Sequence, residues 1–325
     1  MKTPKFWYRP QSRLAKLLSP LGRLYGWTVY RRFKKTRPYQ ATIPVICVGN
    51  LNVGGTGKTP VCLAIGQMLK EKNIPFWFLN HGYKSASQGI IVELGLMTPL
   101  DVGDEALLLA NLAPTVVDRH RARGAQMIER QGAAALIMDD GFQNPSLIKT
   151  LSLIVADGQT GFGNGQMIPA GPLREPIERG LKRADAVVIA GADRSGVADI
   201  VKKTAPDLPI LTGRFEPDPD SVKKLKGQTV VAFAGIGRPE KFFEMLTGLG
   251  IPVAKRIAFP DHYFYTRFDL EQLLADAGNM PLVTTRKDFV KIPPELRSRV
   301  QVVDGRFIFD RPDEVLQLIL GAGLT

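Results

Sequence analysis

Residues 45–60 read Val-Ile-Cys-Val-Gly-Asn-Leu-Asn-Val-Gly-Gly-Thr-Gly-Lys-Thr-Pro, and their pattern is the strongest indication of the fold. The apolar run from Val45 to Val48 predicts a short buried strand, and a loop rich in glycine follows it. Pro60 marks the expected start of a helix, where its missing N–H costs nothing. The apolar residues that come next share one helical face: Val61, Ile65, Met68 and Leu69.

A strand, a Gly-rich loop, Lys-Thr and a helix in this order are typical of the phosphate-binding P-loop. Lys58 is placed to reach the β- and γ-phosphates, and Thr59 is placed to hold Mg²⁺. The full pattern needs glycine where this chain has Asn52, so a Gly-rich turn that binds nothing remains an alternative. The predicted nucleotide-binding residues are Asn52, Val53, Gly54, Gly55, Thr56, Gly57, Lys58 and Thr59.

The composition is that of an ordinary globular protein. The 325 residues are 44% hydrophobic and 23% charged, enough for one large core or two smaller ones. The two cysteines, Cys47 and Cys62, fall in the first strand and the helix after it. We therefore expect small core residues rather than a disulfide framework or a metal site, and a reducing, cytosolic setting.

Positive charge is concentrated at the N-terminus. Residues 1–40 contain eleven Lys or Arg and no acidic residue, so they account for nearly all of the net charge of +12. They also contain eight Phe, Trp or Tyr and a series of leucines at helical spacing. Basic, aromatic and amphipathic character together predict a segment that lies on an anionic membrane. A solvated basic helix is the plainer alternative and nucleic-acid binding a further one; we expect no nucleic-acid partner.

Strands and helices alternate along most of the chain, which predicts a doubly wound, mostly parallel α/β sheet. Residues 206–226 are rich in proline and charge and separate this unit from a second, smaller α/β unit. The predicted organisation is a membrane-associating segment at 1–40, a P-loop domain at 41–215 and a smaller domain at 216–325. A Gly- and Pro-rich loop at 161–176 has the length of a functional loop.

Several acidic residues and one histidine are candidates for chemistry. Asp139 and Asp140 end an apolar strand, which is where a P-loop fold holds Mg²⁺; a capped turn is the alternative. Asp104 and Glu105 precede an apolar helix and could serve only as a helix cap and first turn. His262 follows an aromatic stretch and could equally be an ordinary interface histidine.

These segments together resemble one family, the tetraacyldisaccharide 4′-kinases of lipid A synthesis, over nearly the whole chain. Several motifs in order are more specific than a P-loop alone, and the family's P-loop also lacks the leading glycine. The residues that carry the resemblance are Gly49-Asn50-Leu51, Gly54 to Pro60, Gly103-Asp104-Glu105, Asp139 to Gln143, Gly163-Asn164-Gly165, Pro169 to Glu175, Phe259 to His262, Thr284-Thr285 and Lys287-Asp288.

The resemblance implies a peripheral enzyme on the cytoplasmic face of the inner membrane. Its expected reaction moves the γ-phosphoryl of ATP, with Mg²⁺, to the 4′-hydroxyl of an acylated glucosamine disaccharide 1-phosphate, the lipid A precursor. The family pattern implies that Asp104 is the catalytic base, paired with His262, and that Asp139 and Asp140 lie at the active site. The implied metal ligands are Thr59, Asp139 and Glu105.

The chain departs from the family pattern at two places. His81 stands where the family usually has Arg, and Asn144 where it usually has His, so substrate contacts there are open.

Other functions are alternatives to the kinase. A membrane-associated P-loop ATPase with a regulatory or organising role is the main alternative, but it would carry lysine at the position of Val53. A GTP switch would need a different sequence before Lys287 and Asp288, and a nucleic-acid-dependent ATPase has only the basic N-terminus in its favour.

Overall fold

The computed structural model describes residues 4–9 and 11–324, which form two β-sheets flanked by helices. The first sheet has nine strands. They are β1 (Val45–Gly49), β2 (Phe76–Asn80), β3 (Ile90–Ile91), β4 (Thr115–Val117), β5 (Ala135–Asp139), β6 (Leu151–Asp157), β7 (Ala186–Ala190), β8 (Ile210–Pro217) and β13 (Gly305–Phe309). The second sheet has four strands: β9 (Val230–Ala234), β10 (Val253–Ala258), β11 (Leu282–Thr285) and β12 (Gln301–Val303).

Helices connect and cover these strands. Short 3₁₀ helices lie at Lys5–Tyr8 and Pro294–Arg299. The α-helices are α1 (Arg13–Lys35), α2 (Lys58–Glu71), α3 (Pro99–Val102), α4 (Asp104–Ala110), α5 (Arg121–Glu129), α6 (Ile177–Leu181), α7 (Val197–Thr204), α8 (Pro219–Lys223), α9 (Pro239–Gly248), α10 (Arg267–Ala277), α11 (Arg286–Phe289) and α12 (Pro312–Gly321).

The first sheet confirms the predicted doubly wound, mostly parallel architecture. Its strand order is β13-β8-β7-β6-β1-β5-β2-β4-β3, and only the outermost pairs on each side are antiparallel. The P-loop strand β1 is central, hydrogen-bonded to β5 and β6 in parallel register. The carboxyl ends of these strands therefore meet at one edge, where an α/β sheet binds its ligands.

Helix α2 follows the P-loop and begins at Lys58, two residues before the predicted start at Pro60. Its buried face is formed by Val61, Ile65 and Leu69, which pack into the core of the first sheet. Burying each such side chain stabilises the fold by about 1.5–3 kcal/mol. Both cysteines are free and fully buried, which confirms their prediction as core residues.

The division of the chain between the sheets differs from the predicted one. The predicted boundary after residue 215 falls inside β8, and the last segment returns from the second sheet to the first. Strand β13 pairs with β8 in antiparallel register, and Phe307 and Phe309 join Val315 and Ile319 of α12 in the first core. A local sequence pattern identifies a strand but does not show which sheet the strand joins. The pairing of β13 with the first sheet was therefore not predicted.

The N-terminal segment forms the amphipathic helix that the leucine spacing predicts. Its buried side is narrow: Gly22 and Gly26 pack against Met167 of the loop at 161–176. The leucines of the opposite side are exposed, with Leu17 75% and Leu24 57% accessible. Within the described residues, no helix combines the length and apolar character needed to cross a bilayer.

Candidate active site

The P-loop lies between the end of β1 and the N-terminus of α2. Gly54 and Gly57 have φ values of 114° and 91°, a conformation that residues with a side chain rarely adopt. Asn50 holds the loop from inside, because its Nδ2 donates a hydrogen bond to Thr56 Oγ1 at 3.0 Å. Backbone N–H groups at the start of α2 have no helical partner, so they and the helix dipole favour an anion here.

The first two predicted nucleotide-binding residues are used to hold the loop. Asn52 is buried and its Nδ2 donates to the carbonyl of Gly161 at 2.7 Å. The N–H of Val53 donates to the carbonyl of Pro172 at 2.8 Å. The Gly- and Pro-rich loop at 161–176 is therefore held against the P-loop by these two bonds. The asparagine that departs from the P-loop consensus has a packing role in this fold.

Asp139 ends β5 directly beside the P-loop threonine. Its Oδ2 accepts hydrogen bonds from Thr59 Oγ1 at 3.0 Å and from Asn80 Nδ2 at 3.2 Å. Burial raises the pKa of Asp139 to about 7, and the nearby Glu105 carboxylate adds to this against the opposing charge of Lys58. A buried carboxylate with this pKa lacks a full complement of positive charge around it.

The surroundings of Asp139 fit a magnesium ion. Its Oδ1 is buried and has no hydrogen-bond partner in the described part of the chain, which is a cost unless a ligand satisfies it. Thr59 and Asp139 supply a hydroxyl and a carboxylate, the oxygen donors that Mg²⁺ prefers. Within residues 4–9 and 11–324, no three His, Cys, Asp or Glu side chains form a metal cluster by themselves. Such a donor set suits Mg²⁺ shared with phosphate oxygens and water.

Asp140 has a different electrostatic environment from its neighbour. It adopts a positive φ of 50°, which turns its carboxylate toward Lys58 Nζ at 3.6 Å and the Arg174 guanidinium at 2.8 and 3.2 Å. Burial by itself raises the pKa of Asp140, but Lys58 and Arg174 outweigh burial and lower it far below the usual range. The Asp139–Asp140 pair therefore contains one carboxylate held ionised and one that titrates near neutrality.

A fully buried arginine supports this strand end, and the sequence contained no signal for it. Arg121 Nη2 donates to the carbonyls of Asp139 at 2.9 Å and Asp140 at 3.3 Å. Its Nη1 donates to the carbonyls of Leu79 and Asp118, both at 3.4 Å. One guanidinium thus ties together the ends of β2, β4 and β5. Burial lowers the pKa of Arg121, and the charges of Asp140 and Asp139 oppose that shift.

Asp104 and His262 come together across the two sheets. His262 Nδ1 lies 3.0 Å from each oxygen of the Asp104 carboxylate, and Asp104 is only 4% exposed. Burial by itself raises the pKa of Asp104, but Lys287 and His262, with Lys291, outweigh it and hold the pKa well below the usual range. An ionised carboxylate only accepts hydrogen bonds, so Nδ1 carries a proton; the other ring nitrogen, Nε2, lies 3.6 Å from Asp261 Oδ2.

Lysines from the second sheet surround the same carboxylate. Lys287 Nζ lies 3.2 Å from Glu105, 3.7 Å from Asp261 and 3.9 Å from Asp104. Burial alone would lower the pKa of Lys287, but these three carboxylates raise it above its usual value. Glu105, predicted as a metal ligand, thus has a lysine as its ion-pair partner in this structure. The role of the lysines was not predicted, although Lys287 lies in one of the motifs.

A cavity of about 1860 Å³ lies between the two sheets, with the P-loop on one side and cationic residues of the second sheet's segments on the other. The last five predicted P-loop residues, Gly55 to Thr59, line it on one side, and Arg238, Lys241 and Lys287 line it on the other. Its remaining walls are largely apolar. Polar groups that converge at one end of an apolar cleft are typical of a ligand-binding site.

The departures from the family pattern lie at the border of the site. His81 is exposed and follows Asn80 at the end of β2. Asn144 closes its own turn, since its Oδ1 accepts from Ser146 N at 2.8 Å and Ser146 Oγ at 2.7 Å. Tyr83 was not predicted, yet its ring centroid lies 5.0 Å from that of His262.

Asp288, the residue that suggested a guanine-binding motif, is engaged within the protein. It is fully buried and accepts from Gly235 N and Tyr265 Oη, both at 2.9 Å. It also forms an ion pair with Lys291 at 2.8 Å. Since its carboxylate oxygens are used here, the side chain is not available to read a base, and the GTP-switch alternative loses its support.

The fold and the site define a P-loop nucleotide-binding protein of the α/β class, with a second sheet that completes the cleft. Residues 14–322 match the family model described as tetraacyldisaccharide-1-P 4′-kinase. The chain belongs to that family, as the motifs predicted.

Named relatives and a solved structure agree with this membership. The tetraacyldisaccharide 4′-kinases of Paramagnetospirillum magneticum and Rhodospirillum rubrum are each 48% identical to this chain. The matches cover 96% of this chain in both cases, and 96% and 95% of the two relatives. The crystal structure of LpxK from Aquifex aeolicus in complex with ATP superposes with a TM-score of 0.75 at 29% identity. That match covers 95% of this chain and 99% of the other.

Proposed function

We propose that this protein transfers the γ-phosphoryl of ATP to the 4′-hydroxyl of a tetraacylated glucosamine disaccharide 1-phosphate. The observation that carries the proposal is the Asp104–His262 pair, which lies beside Glu105 and Lys287, two residues of the cleft that the P-loop also lines. Family membership supports the choice of substrate, since the named relatives are tetraacyldisaccharide 4′-kinases. The full-length match favours a lipid kinase over a membrane-organising ATPase.

Phosphoryl transfer depends on positioning and charge neutralisation more than on covalent catalysis. The backbone N–H groups of residues 54–59 and the ammonium of Lys58 are suited to hold the phosphates of ATP. Thr59 and Asp139 would hold Mg²⁺, which when bound neutralises charge on the phosphate oxygens. Glu105 is the third predicted ligand, and its ion pair with Lys287 would have to loosen for it to serve.

The geometry favours His262 as the proton acceptor, with Asp104 as the group that orients it. The sequence-based prediction gave the role of base to Asp104. Its carboxylate is buried against Nδ1 of His262, however, and its low pKa makes it a weak base. The His262 side chain is the more accessible of the two, 14% exposed against 4% for Asp104. Asp104 then fixes the tautomer and orientation of the imidazole ring.

We propose that the protein works as a peripheral enzyme on the anionic cytoplasmic face of the inner membrane, as predicted. The exposed leucines of α1 and the basic residues among them support this placement. Arg31 lies over the Trp27 ring at 4.7 Å, which combines cationic and aromatic character suited to a lipid headgroup region. An acylated substrate would stay in the membrane while its sugar enters the cleft.

One assay tests the proposed function. The purified protein is incubated with labelled ATP, Mg²⁺ and a lipid A disaccharide precursor, and the lipid fraction is examined for label. Label at the 4′ position is the expected result. Release of phosphate from ATP without label in the lipid would favour the membrane-associated ATPase instead.

A further inference from the structure

Asp157 is the last residue of β6, the strand next to the P-loop strand β1. Its side chain is 5% exposed. Oδ1 accepts backbone hydrogen bonds from Gln159 and Thr160, both at 3.0 Å, and these bonds shape the turn after the strand. Neutral hydrogen-bond donors do not cancel the charge of a carboxylate, so burial at this depth calls for a cationic partner.

Two cations reach Asp157 from the other sheet. Arg238 Nη1 donates to Oδ1 at 3.0 Å, and Lys241 Nζ donates to Oδ2. Arg238 also donates to the side chain of Gln159. Burial by itself raises the pKa of Asp157, but Lys241 and Arg238 outweigh burial and lower it. The carboxylate is therefore ionised at neutral pH, and the three groups together leave one surplus positive charge beside the P-loop.

Arg238 ends a turn that links this ion pair to the catalytic histidine. The turn runs over residues 235–238, between β9 and α9. A Cβ built on Gly237 would lie 3.6 Å from the backbone nitrogen of Gly55, so the turn passes close above the P-loop. At the other end of the turn, the carbonyl of Gly235 accepts from His262 N at 3.2 Å and from Lys291 Nζ at 3.1 Å. The backbone of His262 is thus bonded to one end of this turn, and the position of His262 relative to the P-loop depends on where the turn is held.

We propose that Asp157 is a positioning residue for phosphoryl transfer, acting through Arg238 and Lys241. Its ion pairs with these two residues fix the 235–238 turn over the P-loop and so set the distance from His262 to the bound nucleotide. This proposal rests on the proposed kinase function and deepens it. The competing account is electrostatic: Asp157 would only reduce the positive potential around the phosphates of ATP.

The two accounts predict different changes in ATP affinity and in kcat for the Asp157→Asn variant. Removing a negative charge beside an anionic ligand should tighten ATP binding if only the potential matters. If Asp157 positions the turn, the variant should lose turnover while ATP binds no more tightly. A misplacement of about 1 Å at a reacting group costs about 100-fold in rate, so we expect kcat to fall by about 10- to 100-fold.

Steady-state kinetics and direct ATP binding decide between the accounts. Asp157→Glu keeps the charge and should recover part of the kcat that Asp157→Asn loses. Lys241→Gln removes one cationic partner of Asp157 at a more exposed position and should also lower kcat. It therefore tests the proposal even if Asp157→Asn folds poorly. Glu240→Gln is the matched control, because it also removes a carboxylate at the start of α9 but from an exposed position, and it should behave as wild type. Tighter ATP binding in Asp157→Asn, with kcat unchanged in both Asp157→Asn and Lys241→Gln, would overturn the proposal.

Hydrogen exchange separates failure of this proposal from failure of the kinase function. Without any nucleotide, Asp157→Asn and Lys241→Gln should speed amide exchange in residues 235–248 and leave β1 as protected as in wild type. If wild type transfers no phosphoryl group but exchange changes as expected, the kinase function fails and the link between the sheets stands. If wild type is active while neither exchange nor kcat changes in the variants, Asp157 has no positioning role.

Discussion

His262 Nδ1 lies 3.0 Å from both carboxylate oxygens of Asp104, although the two residues are 158 positions apart. Asp104 begins α4 on the first sheet, and His262 follows β10 on the second. The pair therefore exists only when the two sheets lie together, and it forms beside the P-loop cleft. In the proposed mechanism this arrangement makes the catalytic geometry depend on the relative position of the two sheets, as it depends on lid closure in many transferases.

The Asp104–His262 pair should act as one unit. Asp104→Asn keeps the size of the side chain, and we expect it to lose turnover while ATP still binds. The Asp104→Asn, His262→Ala double variant should be little worse than the worse single variant, because residues that act together are non-additive. Steady-state kcat/KM for the three variants gives the test. Fully multiplicative losses would show that the two residues act independently, and a stability loss with full activity would reduce Asp104 to a helix cap.

The kcat values of the two single variants show which residue is the base. In a triad-like unit, removing the residue that takes the proton lowers kcat about tenfold or more beyond the loss seen when the orienting residue is removed. We therefore expect His262→Ala to lower kcat more than Asp104→Ala. His120→Asn is the control, since His120 is exposed and lies outside the cleft. A larger loss in Asp104→Ala would restore the base role to Asp104.

The P-loop residues should be required for turnover and not for folding. Lys58→Ala and Thr59→Ala should each lower kcat by about 100-fold or more, the order found when a group that stabilises transition-state charge is removed. Thr59→Ser keeps the hydroxyl and should retain most of the activity. Thermal unfolding checks that the variants are folded. Full activity in either alanine variant would contradict nucleotide binding at this loop.

The N-terminal segment should bind anionic membranes. Deleting residues 1–35 should lower vesicle binding and activity on the lipid substrate, and binding by the intact protein should weaken as salt rises. The deletion also uncovers Met167, so a second variant is needed that leaves the buried side of α1 intact. Replacing Leu17, Leu21 and Leu24 by Gln changes only exposed side chains. Equal vesicle binding by wild type and this triple variant would rule out the leucine face as the contact.

The C-terminal segment that returns to the first sheet, β13 and α12, should stabilise that sheet. A chain ending at residue 304 lacks β13 and α12 and exposes the core residues that Phe307, Phe309 and Ile319 cover. We expect a lower unfolding midpoint in thermal melts and loss of soluble yield. Replacing the exposed Glu314 by Gln within α12 should have little effect. A truncated chain with an unchanged midpoint would mean that the first sheet is complete without the return.

Local structure could be predicted from the amino-acid sequence. The P-loop, its flanking strand and helix, the alternation of strands and helices and the amphipathic N-terminal helix follow from spacing and glycine placement, which act over a few residues. Family motifs then marked Asp104, Asp139, Asp140 and His262 and paired Asp104 with His262, although the arginines and lysines around these residues were not predicted as their partners. Helix ends shifted by a residue or two, as for α2, where a glycine cap set the start.

Contacts between distant residues, in contrast, became known from the folded structure. The return of β13 to the first sheet, the burial of Arg121 under three strand ends and the Asp157–Arg238 ion pair all join segments far apart in sequence. Such contacts depend on packing and on the need of buried charges for partners, and neither is encoded in a local pattern. The proposal of His262 as proton acceptor also depends on such contacts. The pKa of Asp104 is lowered by Lys287 and His262 from the other sheet against the effect of burial, and no stretch of sequence contains all of these residues.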